Sequence, residues 1–204
     1  GWSAQHRNAV VLARRFEDVG VQMLTVHGRT REQGYQGQAE YDTIAAVKAQ
    51  VAIPVVANGD ITSPQKAREV LACTGADAIM VGRAAQGRPW IFREIGHFLA
   101  TGETLAPPLV AEVRRLLLDH LQDHYQLYGE ASGVRSARKH IGWYVRGLPG
   151  GEDFRQHINT ITDSRVQWEA VAGFFDALGE RMDRLPAPDH GVHGEPQEQE
   201  GLAA

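Results

Sequence analysis

The sequence predicts an α/β fold with a parallel sheet, followed by an all-α bundle of helices. Short apolar runs at residues 53–57 and 78–81 do not alternate polar with apolar side chains, which is typical of parallel strands buried on both faces. Helical and strand patterns also alternate along the first hundred residues, and this alternation is typical of a parallel sheet. Beyond residue 108 only helical spacing remains, in four segments with short connections.

The elements of the first part are predicted in a regular order. They are a helix over residues 3–19, a strand over 21–26, a helix over 41–50, a strand over 53–57, a helix beginning after Thr62 or Ser63, a strand over 78–81 and a helix from about residue 84 to Gly102. The central helix has the clearest ends, because Thr62 or Ser63 can cap it, Pro64 suits its first turn and Gly75 stands where helices commonly stop.

Three βα units preceded by one helix are too few for a complete sheet. Three strands alone would leave two unpaired edges, and a closed (β/α)8 barrel needs about 250 residues. The pattern therefore predicts the C-terminal portion of a TIM (β/α)8 barrel, with five strands upstream of Gly1. We predict a partial barrel over residues 1–104, a helical domain over 105–185 and a disordered tail over 186–204, where Pro, Gly, Glu and Gln are frequent.

Composition narrows the class of protein. The net charge of −4 does not by itself indicate a nucleic-acid binder. The single cysteine, Cys73, excludes an internal disulfide and a cysteine-rich metal site, and we predict that it is a small packed side chain. The nine histidines show no metal-binding spacing, no apolar run could span a bilayer and no signal peptide opens the chain. These features predict a cytoplasmic protein with no metal and no membrane partner.

Two glycine-containing loops follow consecutive predicted strands, Asn58-Gly59-Asp60 and Gly82-Arg83. Loops after the last two strands of a parallel barrel commonly bind phosphate. Glycine lets the main chain approach an anion, and a guanidinium such as that of Arg83 matches phosphate geometry. The alternative is two tight turns beside a surface arginine, since such residues are frequent in turns. Repetition on neighbouring strands favours a ligand site.

Three residues at the end of the first predicted strand are further candidates. His27 could hydrogen-bond a ligand phosphate or a ring carbonyl, or could be a structural histidine. Arg29 and Thr30 could meet substrate, or could equally cap the polar loop over residues 31–38.

A basic stretch lies in the helical part. Residues 131–150 contain no acidic side chain but include Arg135, Arg138, Lys139 and Arg146, with Trp143 and Tyr144 nearby. Cations beside aromatic side chains are what RNA binding requires, although a basic helix face is more often only solvated.

Taken together, these motifs closely resemble bacterial tRNA-dihydrouridine synthases. The resemblance rests on His27–Thr30, Pro54–Asp60, Thr74–Arg83, Ala84–Phe92, Arg138–His140 and Trp143-Tyr144, and it covers nearly all of residues 1–180. It implies an FMN-bound TIM barrel followed by a helical tRNA-binding domain. The family reduces particular uridines of tRNA to dihydrouridine, and NADPH first reduces the flavin.

The resemblance also assigns roles to residues. Asn58, Gly59, Asp60, Gly82 and Arg83 would hold FMN, chiefly at its phosphate end, and His27 would contact the flavin. Arg135, Arg138 and Lys139 would lie on the tRNA side, with Arg29 as a further candidate for substrate contact.

One departure concerns catalysis. The family's cysteine acid and a flavin-binding lysine belong to earlier strands, and Cys73 does not match that cysteine. No catalytic residue is therefore predicted within this chain. We expect the isolated chain to be inactive and the full-length protein to be monomeric.

Two other functions stay open. The first is another FMN- or phosphate-binding TIM-barrel oxidoreductase acting on a small metabolite, which would have no need of the basic helical stretch. The second is a non-catalytic RNA-binding fragment, which would retain tRNA without flavin.

Overall fold

The sheet is parallel and three-stranded in a computed structural model that describes residues 1–187. Its strands are β1 (Leu24–His27), β2 (Val55–Asn58) and β3 (Ala78–Met80), in the spatial order β1-β2-β3. The helices of the first part are α1 (Ala9–Asp18), α2 (Asp42–Lys48), α3 (Pro64–Thr74) and α4 (Ile91–Thr101), with a short 3-10 helix at Arg83–Ala85. Four helices follow, α5 (Val110–Tyr128), α6 (Glu130–Val145), α7 (Gly151–Ile158) and α8 (Ser164–Gly179). The predicted α/β class with a parallel sheet is confirmed.

Helix α3 forms where local chemistry predicts it. The Ser63 side chain accepts a hydrogen bond from the Lys66 N–H, and Gly75 ends the helix in the left-handed conformation with φ of 64°. Ser63, rather than Thr62, is therefore the capping residue. Cys73 on this helix is exposed, so the expectation of a packed side chain is wrong; it lies one position before the buried Thr74, away from the core face.

Loss of the Ser63 cap gives a measurable destabilisation. We expect Ser63→Ala to lower the free energy of unfolding by about 1 kcal/mol, because the Lys66 N–H then lacks its side-chain acceptor. Thr62→Ala is the matched control, since it removes a neighbouring hydroxyl that does not cap the helix. Urea unfolding of both variants checks the prediction, and equal midpoints would contradict the assignment of the cap.

Helix α1 begins at Ala9, so the predicted start at residue 3 is wrong. The preceding residues form a turn instead: the His6 N–H donates to the Ser3 carbonyl at 3.1 Å, and the Ser3 hydroxyl lies 2.9 Å from His6 Nδ1. The carbonyls of Gly1 and Trp2 accept hydrogen bonds from residues 31 and 32. Tertiary contacts with the loop after β1 thus compete with helix formation.

Two other boundaries also differ from the prediction. The first strand begins at Leu24 rather than residue 21, and only the 3-10 helix forms near residue 84, with α4 starting at Ile91. Strand β2 is buried, whereas β3 is partly exposed, and Met80 keeps 47% of its surface accessible. The expectation that 78–81 is buried on both faces is wrong, because only one face of β3 packs on the core: Ile79 contacts the hydrophobic cluster, whereas Ala78 and Met80 lie on the open face.

The hydrophobic side chains form two clusters. The first lies between the sheet and its helices and includes Ile44, Val47, Val55, Val70 and Ile91. The second is formed chiefly by α5, α6 and α8 and includes Val113, Leu117, Ile141, Val171 and Phe175. Residues 110–179 are thus predominantly helical, as the spacing predicts; their status as a separate domain, and the boundaries at 104 and 185, stay predictions.

The helical part begins and ends at the same place. Leu109 and Arg184 form an antiparallel bridge. The Val110 N–H donates to the Asp183 carbonyl at 2.9 Å, and the Leu185 N–H donates to the Pro108 carbonyl at 3.0 Å. The segment between them therefore leaves and returns through one short two-stranded contact, called the stem below.

The loop before α4 joins the two clusters. Gly87 has φ of 70°, and a Cβ added there would overlap the carbonyl group of Trp143 in α6. Trp90 packs edge-to-face on Tyr144, with ring centroids 6.2 Å apart, and belongs to the second cluster. Arg88 pairs with the buried Glu94 at 2.5 Å and fixes the same loop from the other side. The sheet region and α6 are thereby held against each other.

Residues 188–204 lie outside the described part of the chain, and with them most of the predicted disordered tail. Across residues 1–187, none of the helices combines the length and apolar character that crossing a membrane requires.

Candidate functional site

The carboxyl ends of the three strands form one row. The register pairs His27 of β1 with Asn58 of β2, and Asn58 with Met80 of β3. The Asn58 side-chain amide donates to the Met80 carbonyl at 2.8 Å, and the Gly28 N–H donates to the Asn58 carbonyl at 2.9 Å. Because parallel strands end at the same edge of the sheet, the three following loops leave from adjacent positions.

Asp60 connects these three loops. Its carboxylate accepts two hydrogen bonds from Arg29, at 2.9 and 2.8 Å, and one from the Ala39 N–H at 2.8 Å. Arg83 Nη2 lies 3.7 Å from the same carboxylate. Partial burial opposes ionisation, but the hydrogen bonds from Arg29 and Ala39 and the two positive charges hold the pKa of Asp60 below its usual value. Asp60 is therefore an ionised acid between two arginines.

Arg29 supports the loop after β1. Besides Asp60, its guanidinium donates to the carbonyls of Gln36 at 3.2 Å and Gly37 at 2.6 Å. Only 3% of its side chain is exposed. Of the two predicted roles, capping the loop is the one observed here, and direct contact with substrate stays a prediction. Thr30 acts similarly, since its N–H and hydroxyl form hydrogen bonds with Gln33.

Gly59 allows the β2 loop to turn tightly beneath the loop after β1. Its φ is 133°, and an added Cβ would lie 2.7 Å from the Ala39 Cβ and 3.5 Å from His27 Nδ1. The Tyr41 hydroxyl donates to the Gly59 carbonyl at 2.8 Å. Burial, with the negative charge of Asp60, raises the pKa of Tyr41 to about 12. His27 is exposed at this edge, beside Gly59.

Gly82 and Arg83 form the open side of the site. A Cβ added at Gly82 would meet no atom within 4 Å, so the main chain there can be approached closely. The Arg83 side chain is 45% exposed, and its guanidinium carbon lies 4.5 Å from the centre of the Tyr35 ring. An accessible guanidinium beside open main chain is suited to an anion such as phosphate.

The structure brings together all six predicted ligand-binding residues: His27, Asn58, Gly59, Asp60, Gly82 and Arg83. It also adds Tyr35, Ala39 and Tyr41, which the sequence did not single out. Tyr35 belongs to a loop that is longer than a connection requires, and this length was the only available signal for it.

A second candidate surface lies on α6. Arg135 and Lys139 are exposed one turn apart, and Lys139 Nζ lies 5.3 Å from the centre of the Trp143 ring. Arg138 points elsewhere, since its guanidinium donates to the Ile161 carbonyl at 2.7 Å and bridges to the segment before α8. Of the three predicted RNA-facing cations, two are therefore exposed and one braces the helices. A role for any of them in RNA binding stays a prediction.

Three histidines meet between α5 and α6. The ring centroids of His120 and His124 lie 5.0 and 5.1 Å from that of His140. Burial and the neighbouring imidazoles lower the pKa of both His124 and His140, and the His124 Nε2 lies 2.7 Å from the Ser136 hydroxyl. Within residues 1–187, no group of three or more His, Cys, Asp or Glu side chains is arranged to hold a metal ion. The histidines pack as rings in the helix interface.

Comparison with known proteins gives the family. The family model described as dihydrouridine synthase matches residues 1–178, so the chain belongs to the dihydrouridine synthase family. It is 54% identical over 176 residues to a tRNA-dihydrouridine synthase B of Escherichia coli K12, and this match covers 86% of the chain and 55% of that relative. A protein of the same name from Xanthomonas axonopodis is 56% identical over 178 residues, covering 87% of the chain and 54% of the relative. The chain thus spans about half the length of the curated relatives it matches.

Proposed function

We propose that this chain forms part of an FMN-dependent tRNA-dihydrouridine synthase, which reduces particular uridines in tRNA to 5,6-dihydrouridine with NADPH as the reductant. The observation that carries the proposal is the meeting of Gly82-Arg83 with Asn58-Gly59-Asp60 at one edge of the sheet. Family membership and relatives named tRNA-dihydrouridine synthase B support it further.

The residues at the sheet edge fit the phosphate end of FMN. Arg83 supplies an accessible positive charge, and the main chain at Gly82 is open to close approach. His27 is exposed in the same row and would contact the flavin. The side chains of Asn58 and Asp60 would act mainly by shaping this edge, because the Asn58 amide and the Asp60 oxygens already have protein partners.

The chemistry divides between cofactor and protein. Bound FMN supplies the hydride that reduces the uracil ring. The residues of this chain would bind and orient the cofactor through Arg83 and His27. The proton donor would be supplied by a part of the enzyme other than Asp60 and Tyr41: Asp60 is ionised, and the Tyr41 hydroxyl is a weak acid, with its pKa raised to about 12, that already donates to the Gly59 carbonyl.

The α6 surface would face the tRNA. Arg135 and Lys139 are exposed on a stretch without acidic residues, and the Trp143 ring lies beside Lys139. Such an arrangement provides charge for the phosphate backbone and a ring face for an unstacked base.

Activity is tested in a hybrid in which residues 1–178 replace the matching segment of the E. coli relative. We expect the hybrid to bind FMN and to restore dihydrouridine, measured by mass spectrometry, in tRNA from cells that lack dihydrouridine synthases. A hybrid that folds but leaves tRNA unmodified would contradict the proposal. The isolated chain is expected to be inactive, and any uridine reduction by it would show otherwise.

The tRNA surface gives a separate prediction. We expect the double substitution Arg135→Gln and Lys139→Gln to weaken tRNA binding by the hybrid and to lower the slope of log affinity against log salt by about 1 to 2, since about one counterion is released per phosphate contact. Arg14→Gln with Arg15→Gln is the control, because it removes the same charge from exposed positions on α1. Equal salt slopes for the two double variants would exclude α6 as the RNA surface.

The same measurements separate the two rival functions. Flavin binding without salt-sensitive tRNA binding would favour an oxidoreductase of small metabolites. Retention of tRNA by the isolated chain, with no flavin bound by the hybrid, would favour a non-catalytic RNA-binding role.

A further inference from the structure

The Arg29 guanidinium is positively charged and could attract a phosphate ligand, but all of its observed hydrogen bonds are made within the protein. Its guanidinium makes two hydrogen bonds with Asp60 and two with main-chain carbonyls of residues 36 and 37. With 3% of its side chain exposed, it is poorly placed to touch a ligand. Its effect on a ligand must therefore pass through a partner.

That partner also approaches Arg83. The Asp60 carboxylate lies 2.8 Å from Arg29 but 3.7 Å from Arg83, so its short hydrogen bonds are made with Arg29 and the Ala39 N–H. A carboxylate beside a phosphate-binding arginine both competes for that arginine and repels the incoming anion. Pairing with Arg29 reduces both effects, because the negative charge is neutralised by a nearly buried cation.

We propose that Arg29 is a positioning residue for the anion site: by pairing with Asp60, it leaves Arg83 directed at the phosphate of the cofactor. The inference rests on the proposed function. It also gives the Asp60 carboxylate a role in organising the loops rather than in direct contact with FMN.

The charges of the three residues define the test. The pair of Arg29 and Asp60 is neutral, and Arg83 adds one positive charge to the site. Arg29→Gln leaves the Asp60 charge unbalanced, so the summed charge of these three residues falls from +1 to zero. Combining Arg29→Gln with Asp60→Asn restores the original charge with side chains that can still hydrogen-bond each other and, through the Asn carbonyl, the Ala39 N–H. Arg29 contacts with the loop are lost in both, so a recovery of binding isolates the effect of charge.

The experiment measures dissociation constants of FMN and riboflavin for the hybrid by flavin fluorescence. Riboflavin lacks the phosphate, so the ratio of the two constants reports on the anion site and is insensitive to a general loss of structure. We expect Arg29→Gln to weaken FMN binding about tenfold and riboflavin binding less than about threefold, and the double variant to bind FMN within about threefold of the unsubstituted protein. Arg29→Lys keeps the positive charge but lacks the planar guanidinium, so its FMN affinity should lie between those of Arg29→Gln and the double variant. If Arg29→Gln does not fold, Arg29→Lys takes its place in the comparison.

Other results would overturn the inference. One is an equal loss of FMN and riboflavin binding in Arg29→Gln. Another is a double variant that binds FMN no better than Arg29→Gln. An unsubstituted hybrid that folds but binds neither flavin would overturn the proposed function, and this inference with it.

Discussion

Gly87→Ala is expected to lower the free energy of unfolding by about 3 kcal/mol or more. The φ of 70° is strained for any residue with a Cβ, and that atom would overlap the carbonyl group of Trp143. The added Cβ is fixed to the main chain of residue 87, and the atoms it overlaps are main-chain atoms of Trp143. The overlap can therefore be relieved only by moving the loop before α4 away from α6. Such a shift would also disturb the packing of Trp90 on Tyr144.

Gly96→Ala provides the matched control for this substitution. Gly96 lies inside α4, and a Cβ there would meet no atom within 4 Å. Alanine at such a helical position should stabilise the protein by roughly 0.5 to 1 kcal/mol. If the close contact at Gly87 is correct, denaturant unfolding will show changes of opposite sign in the free energy of unfolding of the two variants. A Gly87→Ala protein as stable as the unsubstituted one would contradict the contact between the two clusters.

Tyr144→Phe is expected to reduce the amount by which the free energy of unfolding falls at alkaline pH. Burial raises the pKa of Tyr144 to about 12, whereas an unfolded tyrosine titrates near 10. The folded state therefore favours the neutral phenol, and this contribution is fully present below pH 10 and is lost as the pH rises from 10 through 12. Each pKa unit corresponds to about 1.4 kcal/mol, so the contribution lost is roughly 2 to 3 kcal/mol.

Unfolding free energies between pH 8 and 12 test this prediction. Phenylalanine cannot ionise, so the variant should lose less stability than the unsubstituted protein above pH 10. Tyr128→Phe is the control, because it removes a tyrosine hydroxyl from a residue that is 56% exposed. Comparison within one background removes the titration of lysines and of other tyrosines. Parallel stability curves for the Tyr144→Phe variant and the unsubstituted protein would contradict the assigned burial.

The parts of the fold that follow from neighbouring residues could be predicted from the sequence. Ser63, Pro64 and Gly75 mark the ends of α3 because caps and stops act within one helical turn. The ordering of βα units also predicts a shared edge for the Asn58–Asp60 and Gly82-Arg83 loops, since strand ends in a parallel sheet lie on the same side. That edge is the larger part of the candidate site.

The remainder depends on contacts between distant residues. Asp60 meets Arg29 across 31 positions and the Ala39 N–H across 21, and neither pairing leaves a local pattern. Arg138 and Lys139 are adjacent in the sequence of α6, but the Ile161 carbonyl accepts a hydrogen bond from Arg138 while Lys139 stays at the surface. The predicted start of α1 is wrong for the same reason, because N–H groups of the loop after β1 donate to the carbonyls of Gly1 and Trp2.

The stem between Leu109 and Arg184 has a topological consequence. The two ends of a stretch of about 75 residues are held together there, and most of its apolar side chains face one another. Because the Val110 and Leu185 N–H groups donate across this contact, the first turn of α5 and the segment after α8 stabilise each other. The order of α5 at its beginning therefore depends on residues that follow it by more than 70 positions, and a break on one side of the stem would loosen both ends together.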